Sequence, residues 1–223
     1  MILVDERIRD VEFEYLQTFN HKVKKIPLSN DVYDEISGHS DIFYANIDGE
    51  VYSAPNASII EKEFIIGNEK VGKNYPDDVK YNVCQIGKYV IGSKYADEKI
   101  KDKINIFVNQ GYTKCSIAVT GEKSCITTDK GIYDKIKNDI DTLYIEEKNI
   151  KLLDKNKNIS KMNGFIGGAS ALINNTFILF GDIKNFNKEN QKKILNHLSK
   201  HNLKFKDFKN LEVVDYGGIL MYN

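Results

Sequence analysis

Short apolar runs alternate with charged stretches along the chain, and four of these places predict a pair of strands joined by a tight turn. In the first, Ile42 to Ile47 meets Asp48-Gly49 and then Val51 to Ala54. Tyr81 to Ile86 meets Gly87-Lys88 and then Tyr89 to Gly92 in the second. The third runs from Thr113 to Thr120, through Gly121-Glu122, to Ser124 to Thr127. Phe165 to Ile173 meets Asn174-Asn175 and then Phe177 to Phe180 in the fourth.

The segments after each pair repeat as well. A charged helix over Ala96 to Lys103 precedes a strand over Ile104 to Val108. Thr128-Asp129 caps a predicted helix from Lys130 to about Asn138, followed by a strand from Asp141 to Ile145. Asn187 caps the clearest helix, Lys188 to His201, whose Ile194, Leu195 and Leu198 form one apolar stripe. The first pair is followed by a fainter helix over Ala57 to Lys62 and a strand, Phe64 to Ile66.

These are four strand-strand-helix-strand units, and the two chain ends supply a fifth. Leu211 to Met221 reads as a strand with nothing after it. Met1 to Val4 reads as a strand with nothing before it, followed by a helix over Arg7 to Phe19 and a strand over Val23 to Leu28. Pairing the two apolar ends closes a ring and removes sheet edges. The expected fold is therefore an α/β propeller of five ββαβ modules around a pseudo-fivefold axis. It forms a single domain over 1–223, with modules at 29–78, 79–110, 111–160, 161–208, and 209–223 joined with 1–28.

Composition agrees with one globular domain: 223 residues, 41% hydrophobic and 29% charged. Thirty-two basic residues balance thirty-two acidic ones. A duplex-coating protein needs a basic excess, so no nucleic-acid partner is expected. No run approaches the length of a spanning helix, and Asp5-Glu6 interrupts any secretory apolar segment, so no membrane partner and a cytoplasmic location are expected. Cys84, Cys115 and Cys125 are odd in number and lack Cys-x-x-Cys spacing, which suits reduced thiols rather than disulfides or zinc knuckles.

Module order over nearly the whole chain resembles the pentein superfamily of arginine deiminases and amidinotransferases. The resemblance rests also on Gly38-His39-Ser40-Asp41, Tyr75 to Asn82, Gln110 to Ser116, Gly164 to Ser170 and Val214 to Gly218. Together these look most like short, single-domain bacterial pentein-like proteins of unassigned function. The resemblance implies a site where the modules' first strands meet, with a cysteine nucleophile in the last module, a histidine and acidic residues. Here the last module reads Asp215-Tyr216-Gly217-Gly218-Ile219-Leu220-Met221, without cysteine, and Tyr112-Thr113-Lys114 stands where the enzymes carry a histidine motif.

His39 and Asp41, two apart on a predicted strand, share a face and form a candidate acid–base pair, or else pin a turn. Cys115 is the best candidate nucleophile because Lys114 beside it lowers a thiol pKa, although strand parity turns it toward a packed layer. Asn82, Tyr112, Lys114, Ser170 and Asp215 are the candidate ligand-binding groups. Gly167-Gly168 admits close backbone approach but is no P-loop. His197 and His201 lie four apart, but no third ligand is evident from the sequence, and they read as a solvated helix face; no metal site is assigned. Arg7 and Arg9, the sole arginines, fall in the closing module's helix, so no arginine clamp is expected at the site.

Two functions follow as expectations. One is a small-molecule hydrolase acting without cofactor on guanidino or amide compounds, or a degenerate relative of one. The other is a non-catalytic binding protein, as is the ribosomal anti-association factor among penteins. A small polar molecule is the expected partner in the first case; the sequence names no protein partner.

Overall fold

A computed structural model describes residues 1–222. The chain opens with β1 (Ile2–Asp5), α1 (Asp10–Gln17) and β2 (Val23–Ile26). A one-turn helix α2 (Ser40–Phe43) leads into β3 (Tyr44–Ile47), β4 (Glu50–Ser53) and β5 (Ile65–Ile66). Next come β6 (Cys84–Ile86), β7 (Tyr89–Ser93), α3 (Glu98–Lys101) and β8 (Ile106–Val108). Another one-turn helix, α4 (Thr113–Ser116), precedes β9 (Ile117–Gly121), β10 (Ser124–Thr127), α5 (Lys130–Ile136) and β11 (Asp141–Tyr144). A hairpin of β12 (Lys151–Leu153) and β13 (Ile159–Asn163) follows, and then β14 (Ser170–Ile173), β15 (Thr176–Leu179), α6 (Lys188–Lys200), β16 (Lys204–Lys206) and β17 (Leu220–Met221).

The strands form small sheets rather than one barrel. Five of them are three-stranded and share one order: β17-β1-β2, β3-β4-β5, β6-β7-β8, β9-β10-β11 and β14-β15-β16. In each, the first two strands pair antiparallel and the third joins in parallel. A parallel return needs a crossover, which α1, α3, α5 and α6 supply. The crossover from β4 to β5 holds no helix; residues 57–62, read as helical, are irregular. The predicted pairing of the chain ends is present, with Ile2 opposite Met221 and Leu3 opposite Leu220. Leading strands lie side by side in turn: β17 by β3, β3 by β6, β6 by β9 and β9 by β14.

Apolar side chains pack between sheets and helices in four clusters. Ile2, Val4, Ile178 and Phe180 share one with Tyr216, and Ile126, Phe177, Ile194 and Leu198 share another. Cys84 and Cys125 are core residues of a third, as their apolar neighbours imply. Each buried aliphatic side chain of this kind stabilises the fold by about 1.5–3 kcal/mol.

Three boundaries differ from expectation in a way that shapes the site. The predicted strands starting at Ile42 and Thr113 begin instead with the single turns α2 and α4. Most of Leu211 to Met221 is irregular, and β17 keeps only its last two residues. Each departure places a bend, and therefore polar side chains, at the inner end of a leading strand. The hairpin β12–β13 has no counterpart among the expected elements: β12 is only three residues long, and β13 is largely solvent-facing and lacks the apolar alternation that reveals a strand.

Candidate functional site

The bends converge on a buried polar centre. His39, Asp41, Asn82, Cys115 and Asp215 are each at most 3% exposed. Asn82 ties two of the turns together. Its Nδ2 donates to the Asp41 carbonyl at 2.9 Å and to Cys115 Sγ at 3.0 Å. Its Oδ1 accepts from the backbone N–H groups of Lys114 at 2.6 Å and Cys115 at 3.2 Å. Those amides are the second and third of α4, so Asn82 caps that turn from another part of the chain.

Asp215 is held by the backbone N–H groups of Phe165 and Gly217, each at 2.8 Å. Gly168 makes room for its carboxylate, since a Cβ there would stand 1.8 Å from Asp215 Oδ1. Gly217 has φ +69°, and a Cβ on it would sit 2.4 Å from the His39 Cβ. Glycine is required at both positions, by space at the first and by backbone and space at the second.

The His39 partners differ from the expected one. Asp215 Oδ1 lies 3.8 Å from Nδ1 and Asp5 Oδ2 lies 4.0 Å from Nε2. Asp41, in the turn α2, instead lies by the Cys115 thiol and within the field of the Lys114 charge. Residues two apart share a face in a strand, whereas the helical turn here separates their side chains. Neither His39 nitrogen and neither Asp41 carboxylate oxygen has a hydrogen-bond partner among the described residues, although all four atoms are buried. Unsatisfied buried polar atoms are rare, and each calls for an explanation such as a catalytic role, a bound water or an ion.

Electrostatics follow from burial. Desolvation, and then the Arg7 charge, hold His39 well below its ordinary pKa, so the ring is neutral. A carboxylate beside an imidazole would by itself have raised that pKa. Desolvation raises the Asp41 carboxyl, against the opposing pull of Lys114. Desolvation and then the Asp41 charge push Asp215 up to about 7. Cys115 faces this centre, because a one-turn helix replaces the strand whose parity pointed it away. Burial, then Asp41 and Asp215, hold its thiol well above the ordinary range, which reverses the activation expected from Lys114.

Lys114 reaches the rim. It lines a cavity of about 270 Å³ with Ser40, Asp41, Asn46, Gln85 and Met221. It also borders a second, of about 190 Å³, with Ser170, Leu172 and Met221. Ser170 donates to the Ile166 carbonyl at 2.8 Å and so serves its own turn. Tyr112 stands aside in an aromatic cluster: its hydroxyl donates to Asp78 and meets the Tyr33 hydroxyl at 3.0 Å, while its ring stacks on Phe165. A larger cavity of about 530 Å³ lies at Phe107, Gln110, Asp129 and Lys135. Its Asp129 is engaged by the Ile132 amide and the Gln110 side chain.

Sequence reasoning missed Asp5 and misplaced Arg7. Both precede α1, and Arg7 is 2% exposed rather than on a helix surface. Its guanidinium grips Asp5 with two bonds, Nε to Oδ1 at 2.9 Å and Nη2 to Oδ2 at 2.6 Å. It also donates to the carbonyls of Asp34, Glu35 and Leu153. An arginine fork therefore does stand behind the site, holding the carboxylate that faces His39. The available signal was an acid ending an otherwise apolar strand, two residues before one of only two arginines.

A family sequence model matches residues 3–220, nearly all of the chain and every group in the polar centre. The chain belongs to DUF6873, a family of unknown function. No curated protein matches this DUF6873 chain.

Proposed function

We propose that this DUF6873 protein is a pentein-like α/β propeller whose central polar site binds a small guanidino or amide compound. Support for the architecture comes from the five sheets of identical order and from the succession of leading strands β17, β3, β6, β9 and β14. The function rests on one observation above the rest: His39 and Asp41 carry buried atoms unpartnered among the described residues, His39 beside Asp215 and Asp41 beside Cys115, in a centre that Lys114 links to an open cavity.

A donor-rich planar cation supplies the donors that the Asp41 carboxylate lacks. Its N–H groups bond Asp41, and its charge favours the ionised forms of Asp41 and Asp215. The same charge lowers the Cys115 thiol. In a hydrolase, Cys115 Sγ attacks the central carbon while its proton passes to Asp41 and then to the departing nitrogen. The carbon–nitrogen bond breaks, and water releases the product and restores the thiol. A second reading, a non-catalytic binding protein, is favoured by the raised Cys115 pKa in the free protein and by a last module without cysteine.

Thermal-shift and calorimetric titration with a panel of guanidino and amide compounds tests the site. At least one compound is expected to bind the wild type, and Asp41→Asn to weaken it at least tenfold, the effect of losing a charged hydrogen bond of about 1.5–3 kcal/mol. Failure of every compound to bind, or equal binding by Asp41→Asn, overturns the proposal. Mass spectrometry separates the two readings: a covalent adduct on Cys115 that Cys115→Ser lacks belongs to the enzyme, and unmodified protein with bound compound to the binding module.

A further inference from the structure

His197 and His201 do not form a solvated face. His197 is 8% exposed, and the third side chain that the sequence did not reveal is Asp141, the first residue of β11. One ligand atom from each of Asp141, His197 and His201 lies within 4.8 Å of the other two. We propose that these three side chains form a binding site for a divalent transition metal of the zinc type, a site separate from the polar centre and independent of the function proposed for it.

The donor set suits such an ion, two imidazoles and one carboxylate. A tetrahedral ion with bonds of about 2.1 Å holds its donors about 3.4 Å apart, so modest side-chain rotation closes the cluster. Helix geometry brings the imidazoles together, since residues four apart share a face, and the two ring centroids are 4.7 Å apart. His201 Nε2 is already 2.8 Å from Asp141 Oδ2.

The surroundings provide the outer support that ligating imidazoles carry. Thr120 Oγ1 donates to Ser124 Oγ at 2.9 Å and stands 3.0 Å from His197 Nε2. With its proton committed to Ser124, the Thr120 hydroxyl accepts from Nε2–H, which leaves the lone pair of His197 on Nδ1. Lys200 Nζ occupies Asp141 Oδ2 at 2.5 Å, but its side chain is 64% exposed and free to swing aside. Three protein ligands leave a fourth position for water or a small anion. The ion joins α6, the crossover between β15 and β16, to β11 of the preceding three-stranded sheet.

Titration of untagged, chelator-treated protein with Co²⁺ and Zn²⁺ decides the matter, read by visible absorption and calorimetry. One equivalent should bind, with the intense visible bands of tetrahedral cobalt displaced by zinc. His201→Ala and Asp141→Asn should each weaken binding by more than the roughly 10–100-fold that loss of an outer-shell partner costs. Lys200→Met removes the competing cation without touching a ligand and should tighten binding. Absence of saturable binding overturns the proposal. So does affinity unchanged in His201→Ala and Asp141→Asn, and so does Lys200→Met binding no more tightly than wild type.

Discussion

Asp41 shows most directly how one side chain trades stability for readiness. Its carboxylate is buried beside Cys115 without a partner, an arrangement that costs free energy in the free protein. Replacing it with the near-isosteric asparagine removes a desolvated charge, so Asp41→Asn is expected to be more stable at pH 7 by about 0.5–2 kcal/mol in urea unfolding. The pH dependence has a definite sign. Asp41 and Asp215 are both raised in the folded state, Asp215 to about 7, so the native protein holds protons that the unfolded chain releases. Their contribution is full below the ordinary carboxylate pKa near 4 and is lost as pH rises through each folded pKa, which for Asp215 is about 7. His39 acts oppositely: its folded pKa is lowered, so its contribution is lost as pH falls below about 6.5. Comparing the two proteins cancels the His39 contribution to first order. The advantage of Asp41→Asn should therefore shrink as pH is lowered from 7 to 4; an advantage independent of pH would contradict these shifts.

The decisive elements are the single turns α2 and α4. Neither is long enough to be stable on its own, because nucleation of a helix is unfavourable and one turn recovers little. Asn82 supplies what α4 lacks by accepting from its Lys114 and Cys115 amides. Asn82→Ala leaves two buried donors unpaired, and a loss of at least about 2 kcal/mol is expected in equilibrium unfolding. The same substitution should speed iodoacetamide labelling of Cys115 relative to Cys84 and Cys125, located by peptide mapping, because those two thiols belong to a different cluster. Longer elements were legible from sequence for the converse reason. The cap at Asn187 and the apolar Ile194, Leu195 and Leu198 located α6 to within one residue, although only Ile194 and Leu198 of that stripe reach the core and Leu195 is exposed.

At the scale of the whole molecule, the ends of the chain are structural parts. β1 lies between β17 and β2, and the Tyr222 amide donates to the Met1 carbonyl at 3.0 Å. The same end carries Asp5 and Arg7 to the site, while Asp215 arrives from the other. Joining Asn223 to Met1 through a short glycine linker and reopening the chain between Asn156 and Lys157, in an exposed turn, should yield a permutant that unfolds cooperatively near the wild-type urea midpoint. Deleting residues 220–223 instead exposes the edge of β1 and should lower that midpoint sharply. Equal midpoints for the truncated and full-length chains would show that the end pairing contributes nothing.

The sequence by itself determined the strand pairs, the capped helices and the union of the two ends, because each follows from local periodicity, turn chemistry and apolar burial. It also named most of the polar centre: His39, Asp41, Asn82, Lys114, Cys115 and Asp215. Tertiary structure alone decided how those groups relate. It turned His39 toward Asp5 and Asp215, set Arg7 behind Asp5, raised the Cys115 thiol, and placed Asp141 beside His197 and His201. Residue spacing reports which face of an element a side chain takes, whereas partner, desolvation and charge depend on what other segments bring within a few ångströms.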